Sequence, residues 1–208
     1  VILKRKIAEN LRHPKGFYGH FVSMLMNYFN HGIIRMSVDE IPEDRPVQTI
    51  VEVGIGSGKG LQLIAKRFPL ASLIGIDISK SMLAKAAKRN KQLIKKLKLN
   101  LKLNAIDQMD LDAESVDCLL TINTIYFWDD PDRVCKEVYR VLKPSSSFIL
   151  SFNPGETMDR AMYPEDLFSL YSQKEVEALL ERNAFQVISV KILDDRLEKY
   201  CCISAIKV

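Results

Sequence analysis

The sequence predicts a three-layer α/β domain built on a mostly parallel sheet. Three observations carry this. From Thr49 onward, short β-branched runs alternate with stretches of helical periodicity. A glycine-rich loop, Gly54-Ile55-Gly56-Ser57-Gly58-Lys59-Gly60, follows the first of those runs directly. A short link beginning Asp194-Asp195-Arg196 joins the last two strand-like runs, which calls for a hairpin and hence an antiparallel edge.

The elements follow in order. Residues 49–53 (TIVEV) read as a buried strand and 61–68 as a helix. Residues 73–76 form a second strand ending at Asp77, and Ser79 caps the next helix. Leu83, Ala86, Ala87, Asn90, Ile94 and Leu97 trace one side of that helix, with lysines on the other. Strands are expected at 99–103, 116–123 and 148–152, and a helix at 133–142 started by Asp130 or Asp132 and stopped by Pro144. A helix at 173–183 and strands at 187–193 and 200–208 bring the sheet to seven strands. Before Thr49, residues 1–46 read as a helical cap. Its helix at 17–34 gathers Phe17, Phe21, Leu25, Tyr28 and Phe29 on one face, and residues 47–208 form the main domain.

The 208 residues are 47% hydrophobic, enough to fill a core without metal or disulfide staples. The net charge of +4 is local: nine cations and no acid lie between Lys80 and Lys102, and five acids and no base between Leu103 and Asp117. A disordered acidic chain and a densely basic nucleic-acid coat are both excluded. No run of 18 apolar residues predicts a membrane-spanning helix, and no secretory leader is visible. Cys118, Cys135, Cys201 and Cys202 have no CxxC or zinc spacing, which fits buried thiols and a cytoplasmic setting. His13, His20 and His31 are too sparse for a metal site.

In such a sheet the ligand lies beyond the carboxyl ends of the strands, where strand order reverses. The glycine loop stands there. It is not a Walker loop, because Lys59 is followed by Gly60, and it is not GxGxxG, because position 59 is lysine. What remains is GxGxG preceded two residues earlier by Glu52. Asp77 ends the second strand 19 residues beyond Gly58, where a carboxylate accepts the hydroxyl hydrogens of a nucleoside ribose. NAD enzymes use the same geometry, so Asp77 points to a nucleoside cofactor without selecting one.

The combination of VEVGIGSGKG at 51–60, IGIDIS at 74–79, SVDCLLTINTIYFW at 115–128 and EVYRVLKP at 137–144 resembles the class I S-adenosylmethionine-dependent methyltransferases. EVYRVLKP is similar to the branch that includes quinone-biosynthesis and other small-molecule methyltransferases. The resemblance covers roughly residues 47–208 and implies a Rossmann-like methyltransferase fold with S-adenosyl-L-methionine as cofactor. It implies that Glu52 steadies the loop and the methionyl end, with Gly54, Gly56 and Gly58 beneath the cofactor. Asp77 then binds the ribose, Ile78 and Met82 flank the adenine, and Asn123 faces the amino end. Two positions depart from the family pattern. Ala105, followed by Ile106, stands where relatives carry an acid, leaving Asp107 two residues late, and Ser145–Ser146 replaces a Gly-Gly pair.

The resemblance implies direct in-line methyl transfer to a small organic acceptor. His20, His31 and Tyr126 are the acceptor-side candidates. Tyr18, Tyr28, Trp128, Tyr163 and Tyr171 are further aromatic candidates for the pocket wall. Nucleic acid is disfavoured as acceptor, because Asn123-Thr124-Ile125-Tyr126 stands where base-amino methyltransferases carry an Asn/Asp-Pro-Pro-Tyr-like segment. A non-catalytic cofactor-binding or protein-interaction domain and a nicotinamide oxidoreductase are the alternatives. The sequence leaves the oligomeric state open.

Overall fold

A computed structural model describes residues 31–158, 163, 166–194 and 199–208. Seven strands form one sheet: β1 (Thr49–Val53), β2 (Ser72–Asp77), β3 (Leu99–Leu103), β4 (Val116–Ile122), β5 (Leu142–Phe152), β6 (Phe185–Asp194) and β7 (Lys199–Lys207). Their order is β3-β2-β1-β4-β5-β7-β6. The helices are α1 (His31–Asp39), α2 (Lys59–Arg67), α3 (Lys80–Arg89), α4 (Lys91–Lys95), α5 (Pro131–Val141) and α6 (Gln173–Arg182).

Alternation along the central strands separates two cores. Ile50, Cys118, Leu120 and Ile149 face Ile34, Leu61, Ile64 and Ala86 from the α1–α3 layer. Val51, Leu119 and Leu150 face Val134, Val138, Val176 and Leu180 from the α5–α6 layer. Helix α1 belongs to the first layer: Ile33, Ile34 and Val38 are buried, and Ser37 Oγ donates to Ile33 O and meets Ser151 Oγ, at 2.7 Å each. Of the helix expected at 17–34, the described residues 31–34 are helical, and α1 continues to Asp39. Its part at 17–30, with Phe17, Tyr18, His20, Phe21, Leu25, Tyr28 and Phe29, lies outside the described residues, as does His13.

The expected C-terminal antiparallel hairpin, β6 with β7, is present at the end of the sheet. Three details change. β7 runs antiparallel to both β5 and β6, so the reversed strand lies one strand in, and the edge strand β6 runs parallel to the rest. The single helix expected from Ser79 to Leu97 is two helices broken at Asn90. The Asn90 amide donates to Gly58 O at 2.9 Å and Ala86 O at 3.0 Å, and its backbone (φ −105, ψ 22) leaves the helical path. Third, β5 starts at Leu142, immediately after α5, rather than at 148. Pro144 sits within this first stretch, where the register jumps from Val116↔Leu142 to Cys118↔Ser147 and no ladder bond is needed from proline. Ser145 takes φ 60 there, the left-handed conformation that a glycine of the family pair adopts freely.

Candidate functional site

Strand order reverses between β1 and β4, whose carboxyl ends open a cavity of about 530 Å³. Its floor is the glycine loop. The loop turns out of β1 with Gly54, Gly56 and Gly58 all at positive φ, and Gly54 and Ile55 donate to Ile76 O at 2.8 and 3.3 Å. Gly58 is pressed against the α3 break: a Cβ on it would stand 2.5 Å from Asn90 Nδ2 and 2.9 Å from Ala86 Cβ. Gly60 opens α2 above Glu52, whose carboxylate fills the space a Gly60 side chain would need.

Two buried acids hold the loop. Asp77 ends β2, accepting from Gly56 N–H at 3.0 Å through Oδ2 and from Ser79 N–H at 2.8 Å through Oδ1. One carboxylate thereby fixes both the loop and the start of α3. Burial raises its pKa above the usual carboxylate value, and these two N–H bonds oppose the rise. Glu52 is 4% exposed, and its Oε2 has no hydrogen-bond partner. Burial first, and the charge of Asp77 second, push its pKa up to about 8. A buried carboxyl oxygen without a protein partner is costly, and this one lines an open cavity.

On the opposite wall, Thr121 Oγ1 donates to Val53 O at 3.0 Å and meets Thr124 Oγ1 at 2.6 Å, which accepts from Trp128 Nε1 at 3.2 Å. This chain pins the segment after β4. The Thr124 methyl occupies the space a Cβ on Gly54 would need. Asn123, at φ 55, is tied to β5 through its N–H to Ser151 O at 2.8 Å. At the far rim Asp107 pairs with Arg133 at 3.3 Å.

Of the residues singled out from the sequence, Glu52, Gly54, Gly56, Asp77, Ile78, Met82, Ile106, Asp107 and Asn123 line this cavity. Gly58 supports the loop from behind and is not in the lining. Trp128 lines it as well, whereas Tyr126 lies behind the wall. The Tyr126 hydroxyl accepts from Asn153 N–H at 2.6 Å and donates to Asn123 Oδ1 at 3.1 Å. His31 is exposed at the start of α1, outside the lining, although Ile34 one turn later is part of it. Tyr163 packs edge-on against Phe168, and burial raises the pKa of Tyr171. Sequence reasoning missed Ile34 and Arg133 as lining residues and gave no role to Ser57, Thr124 and Phe127, although the segments 54–60 and 123–128 lie beyond strand ends where a ligand is expected. Only Thr124 carried a signal, its spacing from Thr121.

Other chemistry is poorly served. The four cysteines are buried thiols with pKa values pushed up to about 12, far from thiolate reactivity. Among the described residues no group of His, Cys, Asp and Glu is arranged to hold a metal ion, and no helix is long and apolar enough to cross a membrane.

Residues 51–150 match the methyltransferase domain family. The chain is 33% identical over 108 residues to the uncharacterized methyltransferase YdaC of Bacillus subtilis, covering 52% of this chain and 58% of that protein. Solved structures share the fold of the domain. A Haloferax volcanii complex of the Trm112 methyltransferase activator with a methyltransferase aligns at TM-score 0.79 and 16% identity, over 88% of this chain and 92% of that one. Geranyl diphosphate methyltransferase in complex with S-adenosylmethionine aligns at TM-score 0.75 and 14% identity, over 94% and 92%.

Proposed function

We propose that the protein transfers a methyl group from S-adenosyl-L-methionine to a small organic acceptor by direct in-line displacement. The observation that carries this reading is the unpartnered Glu52 oxygen beside Asp77 over a three-glycine floor. These residues suit a ligand with a cationic amino group at one end and a ribose diol in the middle. Glu52 and Asn123 would hold the amino end, Asp77 the ribose, and Ile78, Met82 and Ile106 the adenine faces. Asp107, steadied by Arg133, would take the adenine edge in place of the acid replaced by Ala105. When bound, the cofactor supplies an electrophilic methyl on sulfur, so the protein's tasks are alignment and exclusion of water.

The acceptor end falls to Ile34, Phe127 and Trp128, an apolar wall. A cavity of this volume suits a nucleoside and a small partner rather than a macromolecule. Tyr126 is a positioning residue, since its hydroxyl orients Asn123 from behind. His31 is kept for the acceptor side because it opens the helix that brings Ile34 to the cavity, and His20 is kept there on the sequence alone. The buried thiols support a cytoplasmic setting.

Calorimetric titration with S-adenosylmethionine, S-adenosylhomocysteine and NAD in parallel tests the cofactor. The two sulfur nucleosides should bind and NAD should not; NAD binding alone would replace this reading with a nicotinamide one. Asp77→Asn keeps an acceptor for the loop but loses charge, and should weaken S-adenosylhomocysteine binding about tenfold, with Asp77→Ala worse still. Unchanged affinity in both would remove Asp77 from the site.

A further inference from the structure

Away from the cleft, α3 and α4 expose Lys88, Lys91, Lys95 and Lys96, and no acid interrupts the chain from Lys80 to Lys102. None of these four makes an ion pair among the described residues. A solvated helix face needs nothing more, but this one ends on an anomaly. Leu97 closes α4 with 91% of its surface exposed and φ 55, the left-handed conformation in which glycine or asparagine usually ends a helix. Its turn is fully formed, Leu97 N–H donating to Ile94 O and Lys98 N–H to Leu93 O, each at 2.9 Å. The loop before β2 presents Leu70, also 91% exposed. The two turns are tied together, because Lys98 Nζ donates to Pro69 O at 3.0 Å and Leu73 N–H to Lys98 O at 2.8 Å.

Two neighbouring leucines thus stand in water beside a face of uncompensated cations, one of them on backbone that disfavours a side chain. Phosphate alone would complement the lysines and leave the leucines unexplained. A surface with anionic headgroups above an apolar layer complements both. We propose that the α3–α4 face, with Leu70 and Leu97, docks the protein reversibly on an anionic phospholipid bilayer. The leucines precede β2 and β3, whereas the cavity lies at the carboxyl ends of the parallel strands, so docking leaves the cleft open to water.

Co-sedimentation with vesicles of phosphatidylcholine, alone or with one-third phosphatidylglycerol, tests this on the full chain. The protein should partition onto the anionic vesicles only, and added salt should release it. Neutralising Lys88, Lys91 and Lys95 together to Gln should lower partitioning about a hundredfold. Leu97→Gly should lower it about tenfold while raising the melting temperature, because glycine accepts the left-handed turn. A purely structural Leu97 would show the reverse. S-adenosylhomocysteine affinity should be unchanged in every variant, which also certifies their folding. Absence of binding to anionic vesicles overturns the proposal. So does binding to a single-stranded oligonucleotide that needs the lysines and ignores both leucines, which would make the face a nucleic-acid contact.

Discussion

At the scale of single residues, the site turns on a carboxyl group whose surroundings disfavour its charge. The folded-state pKa of Glu52, about 8, lies above its unfolded value. The stability this group contributes is therefore complete below about pH 4.5 and is lost as pH rises through 8, since the unfolded chain binds fewer protons in that window. The melting temperature of the ligand-free protein should fall between pH 5 and 8, and Glu52→Gln should remove most of that slope, raising it by about 5 °C at pH 8. The same substitution should weaken S-adenosylhomocysteine binding about tenfold, because an amide is a poorer partner for a cationic amine. A flat melting profile in the parent protein would contradict the buried, unpaired carboxyl. Glu52 and Asp77 were legible in the sequence because each ends or nearly ends an apolar run beside a glycine turn. Ile34 and Arg133 were not, because only the folded path of the chain brings them round to the cavity.

At the scale of elements, the glycine loop and the α3–α4 break are one construction. Asn90 leaves the helix to reach Gly58 O, and Gly58 lacks a side chain so that Asn90 and Ala86 can approach. Gly58→Ala meets both crowding and a φ of +74, and should cost about 2–4 kcal/mol in urea unfolding. Asp130, whose side chain accepts from Arg133 N–H at 3.0 Å, caps α5; Asp130→Ala should cost about 1 kcal/mol by the same measurement. The order and type of these elements could be read from periodicity. The break at Asn90 could not, since the apolar stripe continues to Ile94 and the bond that ends the helix is made to a residue 32 positions away. The early start of β5 was hidden likewise, because Pro144 and three serines read as a loop and only pairing with β4 makes them strand.

At the scale of the whole molecule, the chain's single tryptophan lies in the wall of the cavity, 5% exposed and bonded to Thr124. Its emission therefore reports on the site without interference from elsewhere. S-adenosylhomocysteine should change Trp128 fluorescence saturably, with the affinity found by calorimetry, and Thr124→Val should shift the emission of the free protein by freeing the indole N–H. A signal indifferent to the nucleoside would place the ligand elsewhere. The seven-stranded sheet was foreseeable from the count of apolar runs, but its order was not, because a hairpin does not say which of its strands joins the sheet. That order matters during synthesis. β5 and β6 leave the ribosome before the strand that belongs between them, so each waits with an unpaired flank until β7 emerges. Such open flanks invite intermolecular pairing. The C-terminal third of the sheet is thus the stretch of the nascent chain most in need of a chaperone's shelter.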